Sequence, residues 1–292
     1  MRIAFKPVDI LTLYFISFLS IITIFGIPAI PVWKRLLAGY AVLAVAVISF
    51  AFARTRPSTR SFFFYFHPLS YAFIVLLIFN SLGDVIPSLW SDTFDGMLIR
   101  LDFFLFKNHP TVWLEKIINQ PLTVMLQLAY ISYYFMPLSL GILLIIKKKE
   151  QELDLTMFGI ILGFYLSYIG YLLVPAIGPR FTLDHLQTVN LQAGHVLQAI
   201  QSSVDALEYN KTDAFPSGHT AIALLTLWYA RTCRERLFFW FLFPVVILLI
   251  FSTVYLRYHY VIDVIAGVLT AFLAIIITPW MNRFLSRSSG RP

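Results

Sequence analysis

Charge is scarce in this chain. Only 13% of its 292 residues are Asp, Glu, Lys or Arg, against roughly 25% in ordinary soluble domains. So little charge cannot solvate the surface of a folded chain this long, which excludes a water-soluble domain and leaves lipid as the solvent. Cysteine is all but missing. Cys233 stands alone, which excludes an intramolecular disulfide and a cysteine-based zinc site. Histidine is sparse as well, at His67, His109, His185, His195, His219 and His259, so each one in an apolar context needs a reason. No internal repeat, low-complexity tract or flexible linker interrupts the chain, and residues 1–292 read as a single membrane domain.

What is abundant is apolar sequence. Hydrophobic residues make up 59% and aromatics 17%, and mean hydropathy is +0.78. A net charge of +7 does not argue for a nucleic-acid partner. The basic residues lie in short clusters between apolar runs, as cytoplasmic anchors do. With about 20 apolar residues per span, the sequence predicts eight spans near 8–30, 34–53, 66–87, 121–146, 155–176, 216–231, 237–255 and 259–280. The fold class is therefore an all-α, polytopic membrane helical bundle. The first run exceeds the 7–15 residues of a signal-peptide core and no small-residue cleavage site follows it, so it reads as a retained helix.

Two stretches do not read as spans. Residues 88–118 mix Trp90, Phe94, Leu98, Leu101 and Leu105 with Asp92, Asp95, Arg100 and Asp102, a pattern that suits an interfacial helix. Residues 177–214 form the longest polar segment and include His185, Asn190, Gln192 and His195; a loop of this length is often functional. An even number of spans puts both termini on one side. That side collects Arg54, Arg60, Lys147, Lys148, Lys149, Arg231, Arg234, Arg236 and Arg283, so the positive-inside rule predicts cytoplasmic termini.

Three short stretches then share the non-cytoplasmic side: Pro175 to Arg180, Phe215 to Thr220, and Tyr255 to Asp263. His259 and Asp263 are spaced i, i+4, which stacks them on one helix face. That arrangement serves a base or nucleophile with its orienting acid, or a buried ion pair that locks two helices; ionisable groups in spans are costly and usually functional. Ser217 and Gly218 follow Pro216 at a helix start, where backbone N–H groups lack partners and attract an anion. His219 stands at the rim of that anion site, placed to donate a proton. The plainer reading is a capped helix with an interfacial histidine. Arg180 ends a Gly-Pro turn and offers a planar fork to phosphate oxygens, or snorkels to headgroups. Arg257 faces away from His259 by about 200° if the chain is helical there, so it joins the site only where the backbone is irregular.

These residues resemble the three-part signature of the type-2 phosphatidic acid phosphatase superfamily, K-x6-R-P, P-S-G-H and S-R-x5-H-x3-D. The second part is complete at Pro216, Ser217, Gly218 and His219; the third is matched at Ser252, His259 and Asp263; the first is matched at Arg180. The resemblance implies a six-helix core over 66–280, with two added helices in 1–60. Leu173 stands where the family has lysine, Thr253 where it has arginine, and Pro179 precedes rather than follows Arg180. The Gly178-Pro179-Arg180 turn and the His259-Tyr260 pair ahead of Asp263 also resemble the branch that includes inositol phosphorylceramide synthase.

By that resemblance the chain is a lipid phosphatase, or a lipid phosphotransferase using the same site, with a phosphorylated lipid as substrate. His259 would attack phosphorus, Asp263 would orient it, and His219 would protonate the leaving group. Arg180, Ser217 and Gly218 would hold the phosphate oxygens, with Arg257 as a further substrate contact. Neither a metal nor another cofactor is implied. Two other classes fit parts of the pattern. A two-histidine, one-carboxylate metal site is opposed by the helix start and the nearby arginines. A transporter pathway is opposed by the lack of a repeat.

Overall fold

The computed structural model describes residues 5–55, 60–191 and 209–288; Gln192 and His195 of the polar segment lie outside them. The helices are α1 (Pro7–Phe25), α2 (Trp33–Ala53), α3 (Arg60–Leu89), α4 (Asp95–Phe106), α5 (Gln120–Ile131), α6 (Met136–Ile146), α7 (Glu150–Leu173), α8 (Gly218–Thr232), α9 (Arg236–Tyr255) and α10 (Val261–Ser288). Single helical turns at Pro110–Trp113 and Pro179–Thr182 lie between them. No strand occurs among the described residues, so the bundle is all-helical.

Among the described residues, six helices are long and apolar enough to cross a membrane: α1, α2, Leu69–Leu89 of α3, α7, α9 and Val261–Arg287 of α10. A seventh span forms if α5 and α6 are joined across a 52° bend. The bend falls where Pro137 enters the first turn of α6, a position that suits a residue without an N–H. The expected sixth span differs. α8 has 15 residues, about 22 Å at 1.5 Å each, short of the roughly 30 Å hydrocarbon layer. It is enclosed by α7, α9 and α10, and Thr220, Ala221, Ile222, Leu225 and Thr226 are buried.

Close approach of α7 to the α8 region depends on glycine. A Cβ at Gly163 would collide with Leu225, and one at Gly170 with the Pro216 ring. Small residues let helix backbones draw together where no hydrophobic effect drives association. Tyr165, Tyr168 and Tyr171, spaced as packing residues, are all buried. Phe15 stacks on Tyr165 at 4.2 Å, and the Tyr165 hydroxyl lies 2.9 Å from that of Thr12. Asp9 pairs with Arg54 and accepts from the Tyr71 hydroxyl at 2.8 Å, joining α1, α2 and α3 at one end.

The stretch expected as an interfacial helix contains α4, whose buried side carries acids. Asp95, Leu98 and Asp102 are buried, while Met97, Leu101, Phe104 and Leu105 are exposed. Leu101 and Leu105, at i+3 and i+7 from Leu98, are exposed where Leu98 is buried.

Gly163→Val is expected to lower the thermal unfolding midpoint in detergent, because overpacking costs about 1–3 kcal/mol. A midpoint equal to wild type would mean that α7 and α8 do not pack this closely.

Candidate active site

α8 starts at Ser217 because its side chain caps the helix. The Ser217 Oγ accepts from the Thr220 N–H at 3.3 Å and from the Thr220 hydroxyl at 3.0 Å. Its own proton remains available to an acceptor. The Ser217 N–H donates to the Asp263 carbonyl at 2.9 Å, which ties this helix start to α10. Gly218 is needed for packing: a Cβ there would collide with the Tyr171 hydroxyl. Gly267 has a matching role, since a Cβ would press on the Ser217 carbonyl.

His219 is buried between aromatic rings. Tyr130 stacks on it at 4.5 Å and 24°, and Tyr133 lies at 4.2 Å. Both tyrosines have helical spacing that reads as packing, and no sequence signal separates them from the many other tyrosines. The Nε2 of His219 is buried and has no hydrogen-bond partner among the described residues. The His259 ring lies 5.7 Å away, centroid to centroid.

His259 occupies the break between α9 and α10. α9 ends as the Tyr258 and His259 N–H groups fold back onto the Thr253 carbonyl at 2.9 and 3.0 Å. Arg257 turns the chain with φ of 68°, so the backbone is irregular here. His259 Nδ1 lies 2.8 Å from the Ala214 carbonyl and 3.6 Å from Asp263 Oδ2. A carbonyl only accepts, so Nδ1 carries the proton and Nε2 the lone pair. The i, i+4 spacing assigns the orienting bond to Asp263; in the structure the backbone carbonyl makes it. Asp263 instead accepts from the Tyr260 N–H at 2.8 Å and faces His259 as a buried carboxyl group.

Arg180 follows Gly178, whose φ of +86° is open to glycine. Its guanidinium is exposed and lies 5.6 Å from the Tyr258 ring. Tyr258 in turn stacks on Tyr130 at 4.5 Å. The sequence Arg180, Tyr258, Tyr130, His219 is thus a continuous column linking the three stretches. Arg257 is placed differently. Its Nη2 donates to Glu115 at 2.7 Å and to the Val189 carbonyl at 2.6 Å. Glu115 also accepts from the Thr188 N–H at 3.0 Å and hydroxyl at 2.9 Å. Burial lowers the Arg257 pKa against the pull of Glu115. This guanidinium therefore fastens the 188–189 loop to the His259 turn. Glu115 gave no signal in the sequence, where it is one acid of a mixed segment.

An apolar cavity of about 470 Å³ reaches this site. Phe79, Ile160, Phe164 and Tyr168 line it, and His219 and Asp213 form part of its wall. Leu69, Phe73 and Ile142 also line it and are exposed, so it opens on the lipid-facing side of the bundle between α3, α6 and α7.

A family model described as the PAP2 superfamily matches residues 97–277. No curated protein and no solved structure matches the chain.

The two arginines are expected to separate in experiment. Arg257→Ala strands a Glu115 carboxylate only 10% exposed and should cost about 3 kcal/mol of stability. Arg180→Ala, at an exposed position, should cost less stability than that and be visible in turnover. Thermal unfolding and activity of both variants decide this; equal destabilisation would mean that Arg180 is as firmly packed as Arg257.

Proposed function

Because the chain belongs to the PAP2 superfamily, and is thereby an integral-membrane lipid enzyme of phosphatase or phosphotransferase type, we propose that it hydrolyses a phosphate ester or pyrophosphate of a lipid through a phosphohistidine at His259. The observation that carries this reading is the state of the two imidazoles. His259 is held by the Ala214 carbonyl in the tautomer that leaves Nε2 as a lone pair. A second imidazole with a bare Nε2 stands 5.7 Å away, on the wall of a cavity open to lipid.

In this mechanism the lipid chain lies in the apolar cavity and the phosphate sits between the rings. His259 Nε2 attacks phosphorus in line; the new P–N bond forms as the P–O bond to the lipid breaks. Protonated His219 gives its proton to the departing oxygen. His219, now neutral, takes a proton from water as that water attacks phosphorus, which restores His259 and releases phosphate. Asp263 offsets the positive charge on the imidazole. Arg180, the Ser217 hydroxyl and the Gly218 N–H hold the phosphate oxygens, and preorganised donors of this kind supply most of the stabilisation in such sites. No step draws on a metal. Although short, α8 runs back alongside α7 from the Gly170–Pro216 contact to the Lys149–Glu235 ion pair, so the chain makes an even number of passes, and the positive-inside pattern supports cytoplasmic termini and a site facing the exterior, periplasm or lumen.

A second reading is transfer of a phosphorylated headgroup to a lipid alcohol, and one observation favours it. The cations of the usual signature are depleted. Leu173 is exposed and apolar, Thr253 is buried and bonded to the Ile250 carbonyl at 2.7 Å, and Arg257 is neutralised by Glu115. A site with few cations suits a diester of single charge better than a monoester of charge near −2. Inorganic phosphate released by purified protein marks hydrolysis; a new lipid species formed only with added alcohol marks transfer.

His259→Ala should abolish turnover while the protein still elutes as a folded monodisperse species in detergent. Retained turnover removes His259 from the chemistry. The wild-type profile of kcat/KM against pH should be bell-shaped, since His259 acts neutral and His219 acts protonated. A flat profile from about pH 4 to 9 contradicts the paired roles.

A further inference from the structure

Every break in the helices that carries a proposed site residue is touched by α4. Asp95 and Asp102 lie seven residues apart, close to two turns, and so share one face. Both are buried, and a buried carboxylate requires partners. Asp95 receives the Ile177 and Gly178 N–H groups, each at 2.9 Å, just ahead of Arg180. It also accepts from the Tyr260 hydroxyl at 2.8 Å, one residue after His259. Asp102 receives the Val261 and Ile262 N–H groups, each at 2.9 Å. These are donors of the first turn of α10, which have no partner inside the helix. Between the two acids, Leu98 is fully buried in one cluster with Ala176, Ala214 and Tyr260, against which Phe215 packs, so each of the three stretches contributes a residue.

We propose that Asp95 and Asp102 are positioning residues, through which one rigid helix fixes the distance between the phosphate-binding turn at Arg180 and the nucleophile at His259. Each carboxylate grips two consecutive N–H groups, which sets the direction of a backbone as well as its place. Asn cannot substitute, because its amide offers one acceptor and turns a donor toward the second N–H. The two grips act on different parts of the reaction. Asp102 acts on the start of α10 and hence on His259, the attacking group. Asp95 acts mainly on the Arg180 turn, the binding group. Burial raises the Asp102 pKa, and the two N–H donors and nearby His109 oppose that rise.

This inference rests on the phosphoryl-transfer reading, and the test separates the two. Full-length Asp102→Asn and Asp95→Asn are assayed on a lipid phosphate in detergent, with rates normalised to folded protein. Asp102→Asn should lower kcat roughly 100-fold, the scale of an ångström-level misplacement, with KM within about twofold. Asp95→Asn should raise KM about 10-fold, as expected for lost uniform binding. In the same samples, the affinity for inorganic phosphate should fall in Asp95→Asn and hold in Asp102→Asn. Where an Asn variant does not fold, Tyr260→Phe, which removes one donor from Asp95, should raise KM in the same direction. Wild-type kcat and KM in the folded variants overturn the proposal, as does a loss of rate in both with KM and phosphate affinity unchanged. A wild-type protein that turns over no lipid phosphate or diester sinks the phosphoryl-transfer reading alone, and the phosphate-affinity comparison still decides the positioning role.

Discussion

Ala214 makes two hydrogen bonds that join three distant parts of the chain. Its N–H donates to the Ala176 carbonyl at 3.0 Å, and its carbonyl accepts from His259 Nδ1 at 2.8 Å. A membrane protein has no water in the bilayer core to satisfy a broken helix, so backbone groups freed at a break must find partners in the protein. Here the chain leaves helical geometry after Leu173, before Gly218 and between Tyr255 and Val261. The freed groups satisfy one another: Ala176 with Ala214, Ala214 with His259, and Ser217 with Asp263. The meeting of the three stretches is the local solution to that constraint, and the imidazole geometry follows from it.

Much of this arrangement was legible in the sequence. Apolar runs of spanning length gave the helices, and the Pro216-Ser217-Gly218-His219 and His259/Asp263 patterns gave the residues that gather. The exceptions share a cause. The acceptor of His259 Nδ1 is a backbone carbonyl, and every residue has one, so nothing in the spacing singles out Ala214. Glu115 meets Arg257 across 142 positions, beyond the reach of any local pattern. The acids of α4 looked like the wet side of an interfacial helix, yet they turn inward because pairs of unpartnered N–H groups attract them more strongly than water does. α8 had the right composition for a span but is short, because neighbouring helices enclose it and lipid does not set its length.

The two arginines show how burial divides one chemistry into two uses. Arg257 is confined, with Glu115 and a carbonyl holding its guanidinium, and it is effective as a fastener. Arg180 rests on an aromatic face at the protein surface, where a cation–π contact is worth about 0.5–1 kcal/mol. The stack beneath it, Tyr258 on Tyr130 on His219, places the far end of that cation's support against an imidazole.

α4 ends on Phe103, Phe104, Leu105 and Phe106, all about half exposed or more, while Asp95, Leu98 and Asp102 are buried. A helix with that cross-section is at rest only along the boundary between lipid tails and protein. Whatever touches those exposed rings therefore touches the same helix whose carboxylates grip the backbone at Ile177–Gly178 and Val261–Ile262.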